Sequence, residues 1–315
     1  MTGVNTHGIS RLPAYLQRGK LGATKKSPAD LIVINETPFT AFLDANDGLG
    51  QVACFEGADI SAKKANENGI GAVVIKNSGH IGRAGNYSKR IAEQEYIGLC
   101  MSNASPRLAP WGGMEAMIGN NPWSIAFPGN DTVPTIVLDI ACSQVAAGKI
   151  RQARDNGESI PLGWALDCDG KPTNNPVEAL EGILLPMAAH KGYGIALVIS
   201  LITGVLGGSS WDSDVSSIYD QSRAQKVTQF LAAISIDAFA GKEEYELKIV
   251  EIYKKIKYCK LADGFAGIYM PGEIEEMNLN KNADYINISK PTMESLVKLG
   301  KELRISFPKY WASSV

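Results

Sequence analysis

The stretch CFEGADISAKKANENGIGAVVIKNSGHIGRAGNYSKRIAEQEYIGLCMSN, residues 54–103, decides the fold class. It predicts a helix, an apolar strand at AVVIKN, a loop punctuated by glycines, a second helix and a second strand at IGLCMSN. This alternation is typical of an α/β domain. We expect its sheet to be at least partly parallel and to be covered by helices on both faces.

The pattern continues on both sides of this stretch. We expect further strands at residues 123–127 and 135–141, a buried helix from about Lys191, a strand at AAISIDAF, an amphipathic helix over residues 242–260 and a helix over residues 292–303. The resulting prediction is two lobes. Residues 70–210 form the central cofactor-binding and catalytic lobe, and residues 1–69 and 211–315 together form the second.

Composition excludes several classes of protein. The 315 residues include 31 basic and 33 acidic side chains, mixed along the chain, so no basic stripe suggests a nucleic acid partner. The longest apolar run, residues 194–208, is too short to span a bilayer. The start MTGVNTHG lacks the apolar core of a secretory signal. We therefore expect a cytoplasmic protein that binds neither membrane nor nucleic acid.

Five cysteines lie far apart and form no CxxC pair. This spacing indicates reduced thiols rather than a disulfide framework or a zinc site. We expect Cys54, Cys100 and Cys142 in the core and no metal centre.

Each of the three histidines stands beside a glycine, and His80 has the most informative setting. It follows the strand AVVIKN in the loop NSGHIGRAG, and ligands collect at the carboxyl ends of strands in open α/β sheets. An exposed imidazole there can act as a proton carrier, although a lone histidine is often only a core or surface residue.

A second candidate group is THGISRLPAY, with His7 four residues before Arg11. An arginine can hold a carboxylate through two parallel hydrogen bonds while an imidazole handles a proton, which is what a 2-hydroxy acid requires. The alternative interpretation is a solvated surface. Pro13 favours a break in any helix nearby.

Gly48-Leu-Gly50-Gln-Val-Ala53 is the nearest match to a glycine-rich dinucleotide fingerprint. The ribose-binding acid expected about twenty residues later is missing. We interpret the segment as the start of a helix, with a Rossmann turn as the alternative.

Seven motifs, in this order, resemble one family: THGISRLPAY, NSGHIGRAGNYS, NASPRLAPWGG, LDIACSQVAAGKI, IPLGWALDCDGKPT, LLPMAAHKGYGIAL and MPGE. It is the type-2 malate/L-lactate dehydrogenase family, which includes ureidoglycolate dehydrogenase, sulfolactate dehydrogenase and diketogulonate reductase. The resemblance runs from Met1 to about Glu273. It implies a non-Rossmann α/β fold that binds NAD(P), with a mixed sheet and flanking helices, and a homodimer or larger assembly with its site near the subunit interface. The short segment before His7 departs from the family pattern, so we expect His7 and Arg11 to be less firmly anchored.

The resemblance also implies site residues. His80 and His7 face the reacting centre, with His80 favoured as the proton carrier, and Arg11, Asn103 and Tyr15 bind substrate. The residues that match cofactor-lining stretches are Thr135, Ile136, Val137, Leu138, Asp139, Ile140, Ala141, His190, Lys191, Gly272 and Glu273.

The predicted activity is hydride transfer between NAD or NADP, with NAD favoured, and a small 2-hydroxy acid. Malate with oxaloacetate is the first choice of substrate pair. Within the family the alternatives are lactate, ureidoglycolate, a sugar-derived 2-oxo acid or a cyclic imine. A binding protein of the same fold with impaired catalysis is the alternative from another class.

Overall fold

A seven-stranded mixed sheet forms the centre of the computed structural model, which describes residues 8–25, 30–281 and 288–305. In chain order the strands are β1 Ile32–Glu36, β2 Thr40–Asp44, β3 Ile70–Ser78, β4 Tyr96–Ser102, β5 Pro106–Leu108, β6 Ile118–Gly119, β7 Trp123–Phe127, β8 Ile136–Ile140, β9 Ala165–Leu166, β10 Ile183–Leu184 and β11 Val227–Ser235. The order across the large sheet is β1-β2-β3-β11-β4-β7-β8. A small second sheet has the order β6-β5-β10-β9.

Only β2 and β3 are parallel neighbours in the large sheet, and its other pairs are antiparallel. The partly parallel sheet expected from the sequence is confirmed. However, β11 lies between β3 and β4 and runs antiparallel to both. As a consequence, β2, β3, β4 and β8 all point the same way, and their carboxyl ends lie along one edge of the sheet.

Nine helices accompany the sheets within the described residues. They are α1 Leu12–Lys20, α2 Gly50–Asn68, α3 Gly85–Ala92, α4 Ala147–Asn156, α5 Pro176–Glu181, α6 His190–Ser200, α7 Lys242–Lys257, α8 Glu273–Lys281 and α9 Lys290–Leu303. A π-helical turn, Leu201–Val205, continues α6. The segment at Gly48–Ala53 is the start of α2, as interpreted from the sequence.

Both faces of the sheet are covered near β3. Successive side chains of a strand point to opposite faces, so neighbouring residues of β3 show what covers each one. Val73 and Ile75 are fully buried in one core cluster with Ala58 of α2. Val74, between them, lies under the turn at Gly207 that follows α6. A second core cluster joins α4 and α6 to the small sheet.

Cys54, Cys100 and Cys142 are buried, as predicted. β1, β2 and β11, which the sequence assigns to the second lobe, lie in the same sheet as the central strands. The division into two lobes therefore stays a prediction. No helix among the described residues is long and apolar enough to cross a membrane.

Candidate active site

A cavity of about 340 Å³ opens at the edge where β3, β4 and β8 end. His80 and Ile81 follow β3, Asn103 to Ser105 follow β4, and Ile140 and Ala141 end β8, and all of them line it. The chain leading into β7 and β11 supplies the rest of this edge through Pro122 and Gln225. Strand direction therefore brings together residues that are far apart in sequence.

His80 is held in this cavity by three contacts. Its Nδ1 lies 2.6 Å from the Tyr15 hydroxyl of α1 and accepts from the Gly82 amide at 3.2 Å. Its own backbone N–H donates to Gln225 Oε1 at 3.0 Å. Because an amide N–H can only donate, Nδ1 is an acceptor in the neutral ring, and the ring proton is then on Nε2.

Tyr15 does not line the cavity but lies behind His80. Burial raises the pKa of Tyr15 to about 12, although Arg11 and a hydrogen bond with the Gln51 side chain lower it. The phenol is therefore neutral near pH 7 and can donate to Nδ1. Its predicted contact with substrate stays a prediction.

The cavity is strongly basic. Five cationic side chains and two carboxylates are among the described residues that line it: Arg11, Arg83, Arg107, Lys149 and Arg151 against Asp139 and Glu275. Asp139 is paired with Arg83 at 3.0 Å. Burial lowers the pKa of Arg11, Arg107 and Arg151. A cavity of this charge favours an anionic ligand.

The Tyr219 ring lies between α1 and α4. The Arg11 and Arg151 guanidinium carbons lie 5.4 Å and 5.0 Å from its centroid. The loop that carries Tyr219 is tied to α1 by the buried Arg18, which donates to the carbonyls of Ala23, Asp220 and Arg223. Arg18 thus sets where the loop lies relative to the helix that carries Tyr15 and follows Arg11.

Residues 1–297 match the family model described as malate/L-lactate dehydrogenase. The chain belongs to the malate/L-lactate dehydrogenase family.

Relatives within this family are similar over almost the whole chain. The L-sulfolactate dehydrogenase of Methanocaldococcus jannaschii is 38% identical over 98% of this chain and 89% of its own length. A solved structure of the sulfolactate dehydrogenase from that organism superposes with a TM-score of 0.89 and covers 97% of this chain and 87% of its own. The malate dehydrogenase of Pyrococcus horikoshii is 33% identical over 97% of this chain and 86% of its own length.

Membership of the malate/L-lactate dehydrogenase family makes the protein a dehydrogenase and confirms the mixed α/β fold expected from the resemblance. The family uses nicotinamide cofactors, and relatives include both an NAD+ and an NADP+ enzyme. Its members here carry different substrate names, so membership leaves the substrate open.

Several residues predicted from the family motifs meet in the cavity, namely His80, Arg11, Asn103, Asp139, Ile140 and Ala141. His7 lies outside the described residues. Asn103 is almost fully buried, and its side chain donates to the Ser210 carbonyl and accepts from the Thr228 amide. These two bonds fix the end of β4, so a role in substrate binding stays a prediction.

The other predicted cofactor residues lie outside the cavity wall: Thr135, Ile136, Val137, Leu138, His190, Lys191, Gly272 and Glu273. His190 packs edge-on against Trp111 at the exposed start of α6. The Pro271 carbonyl accepts from the Val137 amide of β8, and a Cβ at Gly272 would lie 3.0 Å from the Val137 carbonyl. The Glu273 carboxylate binds Lys257 and the Met270 amide. Their cofactor roles stay predictions.

Sequence reasoning missed Arg107, Arg151 and Tyr219. Arg107 lies in β5, five residues after the end of β4, and inside the family motif NASPRLAPWGG. A search of the family motifs for basic residues would have found Arg107. Arg151 and Tyr219 follow no such rule, because a helix and a long loop carry them to the cavity.

Proposed function

We propose that the protein is an NAD(P)-dependent 2-hydroxy acid dehydrogenase that interconverts malate and oxaloacetate. The observation that carries this proposal is that His80 and Arg11 line one basic cavity. A proton carrier and a guanidinium beside the same space are the equipment needed to reduce a 2-oxo acid.

Arg11 binds the C1 carboxylate of the substrate in this proposal. Its planar guanidinium offers two parallel donors, which fixes the orientation of the carboxylate as well as its position. The 2-oxo group then lies beside His80. Proximity and fixed charges supply most of the rate enhancement, since the cofactor provides the hydride chemistry.

The residues around the cavity fit a dinucleotide. The first turn of α4 lines the wall with Ala147 and Gly148 and has no side-chain cap on its amides, and Lys149 beside it is exposed. Amides at a helix start together with a lysine suit a pyrophosphate. Asp139, Ile140 and Ala141 would hold the part of the cofactor nearest His80. NAD is favoured over NADP.

His80 carries the proton. Since Nδ1 faces Tyr15 and Gly82, we assign the proton transfer to Nε2. In reduction, the protonated ring donates Nε2–H to the substrate oxygen while Nδ1–H donates to the Tyr15 hydroxyl. This transfer leaves the neutral ring as its Nδ1–H tautomer, in which the Tyr15 hydroxyl accepts from Nδ1 and the hydrogen bond from the Gly82 amide is released. In oxidation, the same tautomer accepts the hydroxyl proton of the 2-hydroxy acid at Nε2.

A sulfolactate dehydrogenase is the second candidate function. It is favoured by the 38% identity to the sulfolactate dehydrogenase of M. jannaschii and by the excess positive charge of the cavity. A sulfonate in place of the second carboxylate keeps the charge of the substrate.

The test follows NADH and NADPH absorbance with oxaloacetate, 3-sulfopyruvate and pyruvate. We expect turnover with oxaloacetate and slower turnover with pyruvate. His80→Asn should lower kcat by about 10² to 10⁴ with little change in NADH affinity, and His7→Asn should lower it less. No oxidation of either cofactor by any 2-oxo acid would exclude the dehydrogenase. A larger loss of kcat at His7 would make His7 the proton carrier.

A further inference from the structure

We propose that Arg151 binds a second anionic group on the substrate and so makes the site selective for 2-oxo acids with a carboxylate or sulfonate on C3. This inference rests on the proposed function, because it assumes that Arg11 holds the C1 carboxylate.

Arg151 lies on α4 and lines the same cavity as His80, although the two residues are about seventy positions apart in the sequence. Among the described residues it has no ion pair with a carboxylate, whereas its neighbour Arg154 is paired with Asp155 at 2.7 Å. Arg151 is half-buried, and Arg154 is exposed. The Tyr219 ring and the charge of Asp155 compensate only part of the hydration that this half-buried cation loses, because neither forms an ion pair with it.

The surroundings make this cost larger. Burial, together with repulsion from Arg11, Arg107 and Arg154, lowers the pKa of Arg151 to about 10, although attraction to Asp155 opposes this shift. Such an arrangement opposes folding on its own, and an anion in the cavity would offset it. A ligand with two negative charges offsets it better than a ligand with one.

The shared contact with Tyr219 limits how far apart the two arginines lie. Arg11 and Arg151 lie 5.4 Å and 5.0 Å from the same Tyr219 centroid, so their guanidinium carbons are no further apart than the sum of these distances. A four-carbon dianion gripped at both ends spans about 12 Å between guanidinium carbons when extended, given N···O distances of about 2.8 Å and C–C bonds of about 1.5 Å. An extended dianion is therefore too long to be held end-on by both arginines, and a substrate that both bind must be bent.

The first experiment compares Arg151→Gln with wild type by steady-state kinetics on oxaloacetate, 3-sulfopyruvate and pyruvate. We expect kcat/KM for the two dianions to fall about 10- to 100-fold, and that for pyruvate to change less than about threefold, because only the dianions lose a charge-assisted contact. A fall with oxaloacetate alone identifies a carboxylate as the second group, and a fall with 3-sulfopyruvate alone identifies a sulfonate.

Arg154→Gln is the matched control, since it removes the same charge from the same helix outside the cavity. It should leave the ratio of dianion to pyruvate kcat/KM within about twofold of wild type. An equal change in both variants would reduce Arg151 to long-range attraction and overturn the proposal.

A binding experiment separates this inference from the proposed function, because it needs no turnover. Succinate and butyrate share a four-carbon chain and carry two and one carboxylates. Succinate should raise the Tm of wild type more than butyrate does, and this difference should disappear in Arg151→Gln. The ligand-free variant should have the same Tm as wild type or a higher one, since a repelled charge is gone. If the ligand-free variant has a lower Tm than wild type and kcat/KM falls equally for all substrates, Arg151 only packs on Tyr219.

If wild type shows no turnover but succinate still raises its Tm more than butyrate does, the dehydrogenase is rejected and the dianion site is kept.

Discussion

At the scale of single residues, a hydrogen bond between Tyr15 and His80 connects α1 to the loop that follows β3. The Tyr15 hydroxyl reaches Nδ1 at 2.6 Å and is itself hydrogen-bonded to the Gln51 side chain. Because burial raises the pKa of Tyr15 to about 12, the hydroxyl keeps its proton throughout the neutral range. The contact orients the His80 ring in either protonation state, since a hydroxyl can donate or accept.

Tyr15→Phe tests whether this contact positions His80. We expect kcat to fall about tenfold while the KM for oxaloacetate changes less than about twofold, because one orienting hydrogen bond is lost and the cavity wall stays the same. Tyr245→Phe is the matched control: its hydroxyl is also hydrogen-bonded, to the Pro128 carbonyl, and burial raises its pKa to about 12 too. If KM rises and kcat does not fall, Tyr15 touches the substrate, as the sequence motif implies.

The residues that sequence reasoning found share one property, which is that a local motif marks them. His80 follows a recognisable strand, and Arg11 stands in the motif THGISRLPAY, four residues after His7 in the sequence. Arg107, Arg151 and Tyr219 come to the cavity from three separate segments. Their meeting depends on the order of the strands in the sheet and on the position of α4. The hydrophobic periodicity of a single segment predicts neither of these.

At the scale of elements, β11 decides the architecture of the site. β3 and β4 are close in sequence and have the spacing of adjacent parallel strands, yet β11 separates them. The apolar run of β11 predicts a strand but not the strands with which it pairs. Pairing between strands so far apart in the sequence depends on tertiary packing. The insertion leaves β3 and β4 pointing the same way, so their carboxyl ends still share one edge although the two strands are not neighbours.

The start of α2 supports the same edge, and Gly50→Ala tests it. A Cβ at Gly50 would lie 2.1 Å from the Gly79 carbonyl oxygen, next to His80. We expect a loss of about 1–3 kcal/mol in the free energy of unfolding and a lower kcat, because the His80 loop must shift. Gly194→Ala in α6, where nothing lies within 4 Å of the added Cβ, should not destabilise the protein. Chemical denaturation measures both, and equal stabilities of the two variants would contradict the close packing.

At the scale of the whole molecule, an apolar stripe follows α6 and its π-helical extension. Val198, Leu201 and Val205 are spaced by three and four residues and lie 52%, 47% and 57% exposed. Leu206 follows at 65%. Helical positions with this spacing share one face. Contiguous exposed apolar surface of this kind commonly marks an interface between proteins, and here it continues the helix that begins at His190.

The last prediction is that the protein is at least a dimer and uses this stripe. Light scattering at micromolar concentration should give at least twice the 33.8 kDa of one chain. Val198→Glu combined with Val205→Glu should shift the particle toward one chain, because two buried, unpaired carboxylates in each copy disfavour association. Phe239→Glu is the control: its side chain is 78% exposed and lies after β11, away from the stripe, so the mass should not change. A wild-type particle of one chain would refute the dimer, and a double variant that stays dimeric would place the interface elsewhere. If the double variant also loses turnover while its Tm is unchanged, the site depends on assembly, which a single chain in isolation does not reveal.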